Sequence, residues 1–169
     1  WFLPYLLVFS LMLTPVFVRM RNHPTGNLIS WLRETIRIRP YLLFIFIIPL
    51  YCYEALLEPY FEVTHNLVWD WFNFISSLTL FFYGFLMVSM REAFCHAIDR
   101  LLKFSFLIGV ISFSCLLLIW LFLQDSTLVH FVEAFIKVTN LWAWILTILG
   151  WAARFLNHKS RYLTYANQA

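Results

Sequence analysis

Five apolar runs of about 16–21 residues dominate the sequence: residues 1–18, 40–57, 71–90, 104–124 and 138–153. An α-helix rises about 1.5 Å per residue, so runs of this length match a hydrocarbon layer of ~30 Å. The fourth run is the cleanest, with fourteen Leu, Ile, Phe or Val residues between Phe104 and Leu123. Their summed transfer free energy, about −4 to −8 kcal/mol, favours insertion. Membrane β-strands alternate apolar and polar positions; these runs are continuous and predict helices. A soluble domain carries about 25% charged residues, whereas this chain of 169 residues has 12%. The expected fold is all-α: a polytopic integral membrane helix bundle of about five transmembrane helices, residues 1–169 forming a single transmembrane domain.

The charges between the runs alternate in sign. Arg19, Arg21, Arg33, Arg37 and Arg39 precede the second run, and Arg91, Arg100 and Lys103 precede the fourth. Arg154, Lys159 and Arg161 follow the fifth. Between the second and third runs stand only Glu58, Glu62 and Asp70 as charges, and Lys137 stands beside Asp125 and Glu133 before the fifth. By the positive-inside rule Trp1 is expected outside and Ala169 in the cytoplasm. Residues 26–39 place Leu28, Ile29, Leu32 and Ile36 on one helical face and Arg33, Glu34 and Arg37 on others, which predicts a short interfacial helix on the cytoplasmic surface. Membrane lipids are the expected surroundings. A net charge of +3, dispersed among loops, argues against nucleic acid.

Few side chains offer chemistry. Glu54 lies near the outer end of the second run; it reads either as a substrate-facing group or as an interfacial carboxylate that snorkels to water. His65 and His130 fall on the outer side, where a histidine can serve as a general base or stand as a solvated loop residue. Trp69, Trp71 and Tyr60 gather at the outer edge, as an aromatic belt or as a stacking surface for a sugar. Arg91 and Arg154 belong to an inward cationic surface suited to lipid phosphates or to a phosphate-bearing donor such as a coenzyme A ester. Pro49 is expected to kink the second helix. No two histidines have metal-ligand spacing. Cys52, Cys95 and Cys115 show no C-x-x-C pattern and read as small buried apolar residues.

Two stretches carry a family resemblance. Trp1-Phe2-Leu3-Pro4-Tyr5-Leu6-Leu7 resembles the opening of a span in type-3 membrane acyltransferases. Residues 157–169, from Asn157 through Ser160, Leu163, Tyr165 and Asn167, resemble that family's approach to its last helix, with His158-Lys159 in place of the commoner basic-Pro pair. The resemblance implies the C-terminal portion of an enzyme that moves an acyl group from a cytoplasmic acyl-CoA to a hydroxyl of an exported glycan. The setting it implies is a bacterial inner membrane. The family's catalytic His and Arg would lie upstream of Trp1, leaving the catalytic residues unassigned and this fragment lacking its base. Glu54, Trp69, Trp71 and His65 are then acceptor-side candidates, and Arg91 and Arg154 donor-side candidates. A polytopic transporter or glycolipid flippase is the alternative expectation, and a non-catalytic scaffold a third.

Overall fold

A computed structural model describes residues 2–22, 27–61, 70–122 and 126–156. All regular structure among them is helical, and five of the helices are long and apolar enough to cross a membrane. They are α1 (Phe2–Asn22), a composite second span, α4 (Trp71–Ser89), α5 (Arg91–Phe122) and α6 (Thr127–Trp151). The composite span begins as a 3-10 helix, Pro40–Phe46, and continues as α3, Ile47–Leu56. The amphipathic α2, Asn27–Ile38, precedes it.

Pro49 accounts for the composite. It is the third residue of α3, one of the positions where a missing N–H costs least, and its ring excludes an α-helical turn four residues earlier. The expected kink is therefore a change of helix type. Irregular backbone at membrane depth persists only where protein groups satisfy it. Here Trp142 Nε1 donates to the Leu43 carbonyl at 2.8 Å and the Tyr83 hydroxyl to the Phe46 carbonyl at 3.3 Å. Trp142 and Leu43 are fully buried at the centre of the apolar core, with Phe46 and Tyr83 packed edge-on beside them.

Two boundaries differ from the sequence reading. The fourth span does not start at 104: α5 runs unbroken for 32 residues from Arg91, so its first turns carry the basic segment expected as a loop. Likewise α6 starts at Thr127, capped by Ser126, whose hydroxyl accepts from Val129 N at 3.3 Å. Charges marked where the apolar stretch stops, and a helix held by its own backbone bonds continues past that point. A π-helical turn, Ala152–Leu156, follows α6.

The amphipathic segment is a helix, but its apolar face is covered by protein. Ile29 and Ile36 are buried in the core, with Leu32 packed against it, and Arg33 donates to the Ser89 carbonyl at 3.3 Å. Trp31 and Ile38 remain exposed. The three cysteines are free, and Cys52 is exposed where a buried position was expected.

Contacts along the helices fix their directions. Antiparallel α5 and α6 meet at Trp120 with Glu133, at Gly109 with Asn140, and at Leu102 with Gly150. The second span also runs against α6, while α1 lies parallel to α4, Phe9 meeting Phe74 and Phe17 stacking on Phe85. One end of the bundle thus collects Arg19, Arg33, Arg37, Arg39 and the basic turns of α5, and the other collects Glu54, Glu58, Asp70 and Glu133. Between them the outer faces are apolar, with Leu7, Leu11, Leu107, Ile111, Leu118 and Ile148 all more than half exposed. Soluble proteins rarely display apolar surface on this scale.

Replacing Trp142 separates packing from hydrogen bonding. Trp142→Phe keeps most of the ring but removes the donor to Leu43, with an expected loss of about 1–2 kcal/mol. Trp142→Ala also opens a cavity, with an expected loss of about 3–5 kcal/mol. Unfolding midpoints in lipid nanodiscs should fall in that order.

Candidate functional site

The chemistry gathers at the acidic end, where the composite span meets the start of α6. Ala55 begins the local argument. Its carbonyl would look to the N–H four residues on, but that residue is Pro59 and has none. The imidazole of His130, from the first turn of α6, lies against this carbonyl with Nε2 at 3.2 Å. A carbonyl only accepts, so Nε2 carries the proton and the lone pair of a neutral His130 resides on Nδ1.

Three residues further along α6, Glu133 accepts from Trp120 Nε1 at 2.7 Å. A further turn on, Lys137 pairs with Glu54. The two ends of this pair differ in surroundings: the Glu54 side chain is 11% exposed and that of Lys137 49%. Lys137 is the eleventh residue of α6, about 15 Å from its start. Its long stem directs the ammonium back towards the acidic end, where Glu54, Glu58, His130, Glu133 and Ala134 line a recess of about 80 Å³ with it. Carboxylates outnumber cations in this group.

Beside the recess opens a cleft of about 630 Å³ between the 3-10 turn Glu58–Tyr60 and α6. Leu56, Tyr60, Ser126, Thr127, His130, Phe131 and Glu133 are among its lining residues. It combines hydroxyls, an imidazole and a carboxylate with apolar and aromatic surface, the mixture that small-molecule sites use to fix orientation.

Of the candidates read from sequence, Glu54 joins this region, but as the buried partner of Lys137. It is neither a lone interfacial carboxylate nor a wall of the cleft. Trp71 starts α4, stacked edge-on against Phe74 and away from the cleft lining. His65 and Trp69 lie outside the described residues, as do Trp1 and the whole of the C-terminal motif, residues 157–169. Arg91 and Arg154 are exposed at the opposite end, where Gly150 of α6 packs on Ile98 and Leu102 of α5.

The residues missed are Lys137 and Glu133. The sequence pattern places both in a loop; on one helix with His130 their spacing of three and four places them on a common face. Ser126 ahead of an apolar run was the available signal for an earlier helix start.

Removing one partner of the Glu54–Lys137 pair strands the other. Lys137→Met is expected to destabilise by about 1–3 kcal/mol, less than a fully buried pair because the ammonium is half exposed. Combining it with Glu54→Gln should recover most of that loss. A double-mutant cycle on unfolding midpoints measures the coupling, and strictly additive losses would contradict it. Comparison with protein-family models, curated proteins and solved structures finds no match to this chain.

Proposed function

We propose that this chain is part of a membrane-bound acyltransferase that moves an acyl group from an acyl-CoA donor to a hydroxyl of an exported carbohydrate. The observation that supports this reading is the charge polarity of the bundle. The phosphates of a coenzyme A ester need a cationic approach, and Arg91, Arg100, Lys103 and Arg154 are all exposed at one end. A polyhydroxylated acceptor needs hydrogen-bond acceptors and an apolar wall, and the cleft at the other end offers both. In a bacterial inner membrane the basic end faces the cytoplasm, where acyl-CoA is made, and the acidic end faces the exported glycan.

On this reading the described helices hold donor and acceptor, and a base outside them takes the proton from the acceptor hydroxyl. The terminal motifs point to the same family. Arg91 and Arg154 steady the donor through its phosphates.

A second reading, a transporter or glycolipid flippase, has one observation in its favour. The Glu54–Lys137 pair lies within the spans, beside a span whose helix type changes at Pro49. Charged groups beside broken helices are a feature of transport sites.

Two measurements test the proposal. A membrane-impermeant maleimide should label Tyr60→Cys in intact cells and His96→Cys only after permeabilisation; labelling of both from one side would overturn the topology. Envelope glycans from cells lacking the full-length protein should lose an ester-linked acyl group. Unchanged acylation together with altered export of a glycolipid would favour the second reading.

A further inference from the structure

We infer that the cleft between the Glu58–Tyr60 turn and the start of α6 is a saccharide site that accepts neutral sugars and rejects acidic ones. Its volume of about 630 Å³ falls within the range of small-molecule sites. Two of its polar groups are acceptors. His130, a lining residue, commits Nε2–H to the Ala55 carbonyl, so in the neutral imidazole the acceptor is Nδ1. Glu133 takes the indole N–H of Trp120 on one oxygen, and its other oxygen has no hydrogen-bond partner among the described residues. A molecule rich in hydroxyl donors satisfies both.

The apolar part of the cleft suits the same ligand. Tyr60 is 81% exposed and Phe131 39%, so each offers ring surface to the C–H face of a pyranose. Tyr60 stands on a short turn and is not buried by any of the described residues.

Charge sets the selectivity. Among the described residues no Lys or Arg lines the cleft, and Lys137, which shares the adjoining recess with Glu133, is paired with Glu54. A uronic acid would bring its carboxylate up to that of Glu133, whose nearby Lys137 is already neutralised by Glu54, and like charges in juxtaposition exclude a partner strongly. A neutral glycan meets no such penalty.

The inference rests on the acyltransferase reading only for what the bound sugar is used for; saccharide binding itself needs no acyl donor. The test uses the full-length protein in lipid nanodiscs, free of glycosidic detergent, at neutral pH. Saturation-transfer NMR and titration would compare maltotriose with trigalacturonate as probes. Maltotriose should bind at least about tenfold more tightly. Tyr60→Ala should weaken it several-fold with folding unchanged. Glu133→Gln should raise trigalacturonate binding towards that of maltotriose, a reversal that general loosening of the bundle would not produce.

Equal binding of the two trimers, binding of neither, or indifference to both substitutions would overturn the assignment. If maltotriose binds selectively while envelope glycans keep their acyl groups without the protein, the site stands and the acyltransferase reading falls. If acylation is lost but the cleft fails these tests, the reverse holds.

Discussion

A backbone carbonyl in hydrocarbon has no water to turn to, so irregular backbone in a span must be met by neighbouring helices. Two prolines make the second span irregular. Pro49 forces a tighter helix ahead of it, and Pro59 leaves the Ala55 carbonyl without the donor a regular helix would give. His130 of α6 meets the deficit at Ala55, and Trp142 of α6 and Tyr83 of α4 add side-chain hydrogen bonds to the Leu43 and Phe46 carbonyls of the tightened stretch. The least regular span is thus pinned at both of its ends by the most regular neighbours.

That requirement also positions the polar groups. Once His130 is fixed against Ala55, the helical repeat carries Glu133 and Lys137 along the same face. Lys137 then reaches Glu54, the residue immediately before Ala55 on the facing span. Asn140 continues the series into the apolar interior, donating to the Gly109 carbonyl at 2.9 Å and the Ser112 hydroxyl at 3.0 Å. Gly109 is small enough for the Trp144 ring to lie over it; a Cβ there would stand 3.2 Å from the ring. A single face of α6 therefore links the acidic end to the middle of the bundle through polar contacts, inside otherwise apolar walls.

The spans themselves were legible in the residues because insertion depends on summed hydrophobicity, a property of sequence alone. Alternation of basic and acidic connections was legible for the same reason, and the antiparallel packing agrees with it. Helix ends were not. The charges of Lys103 and Lys137 mark the edge of the apolar layer, whereas the helices themselves continue, so both residues lie well inside α5 and α6. Glu54 was conspicuous as a charge in an apolar run, but its partner comes from a helix 83 positions later, and nothing local in either segment announces the pairing. His130 was noticed as an outer histidine; its tautomer became readable only when Ala55 was found opposite it.

The length of α5 has a mechanical meaning. Its apolar part from Phe104 onward spans about 28 Å, enough for the hydrocarbon layer, and the turns from Arg91 to Lys103 extend about 20 Å beyond. This rod crosses the headgroup zone with its amides already bonded to one another, so no peptide group is exposed or covered when the surrounding leaflet thickens or thins. Phe94, Ile98 and Leu101 of these turns are buried in the core, so α5 shifts only together with its neighbours, and a change of leaflet thickness is met by the bundle as a unit with its exposed arginine and lysine tips readjusting.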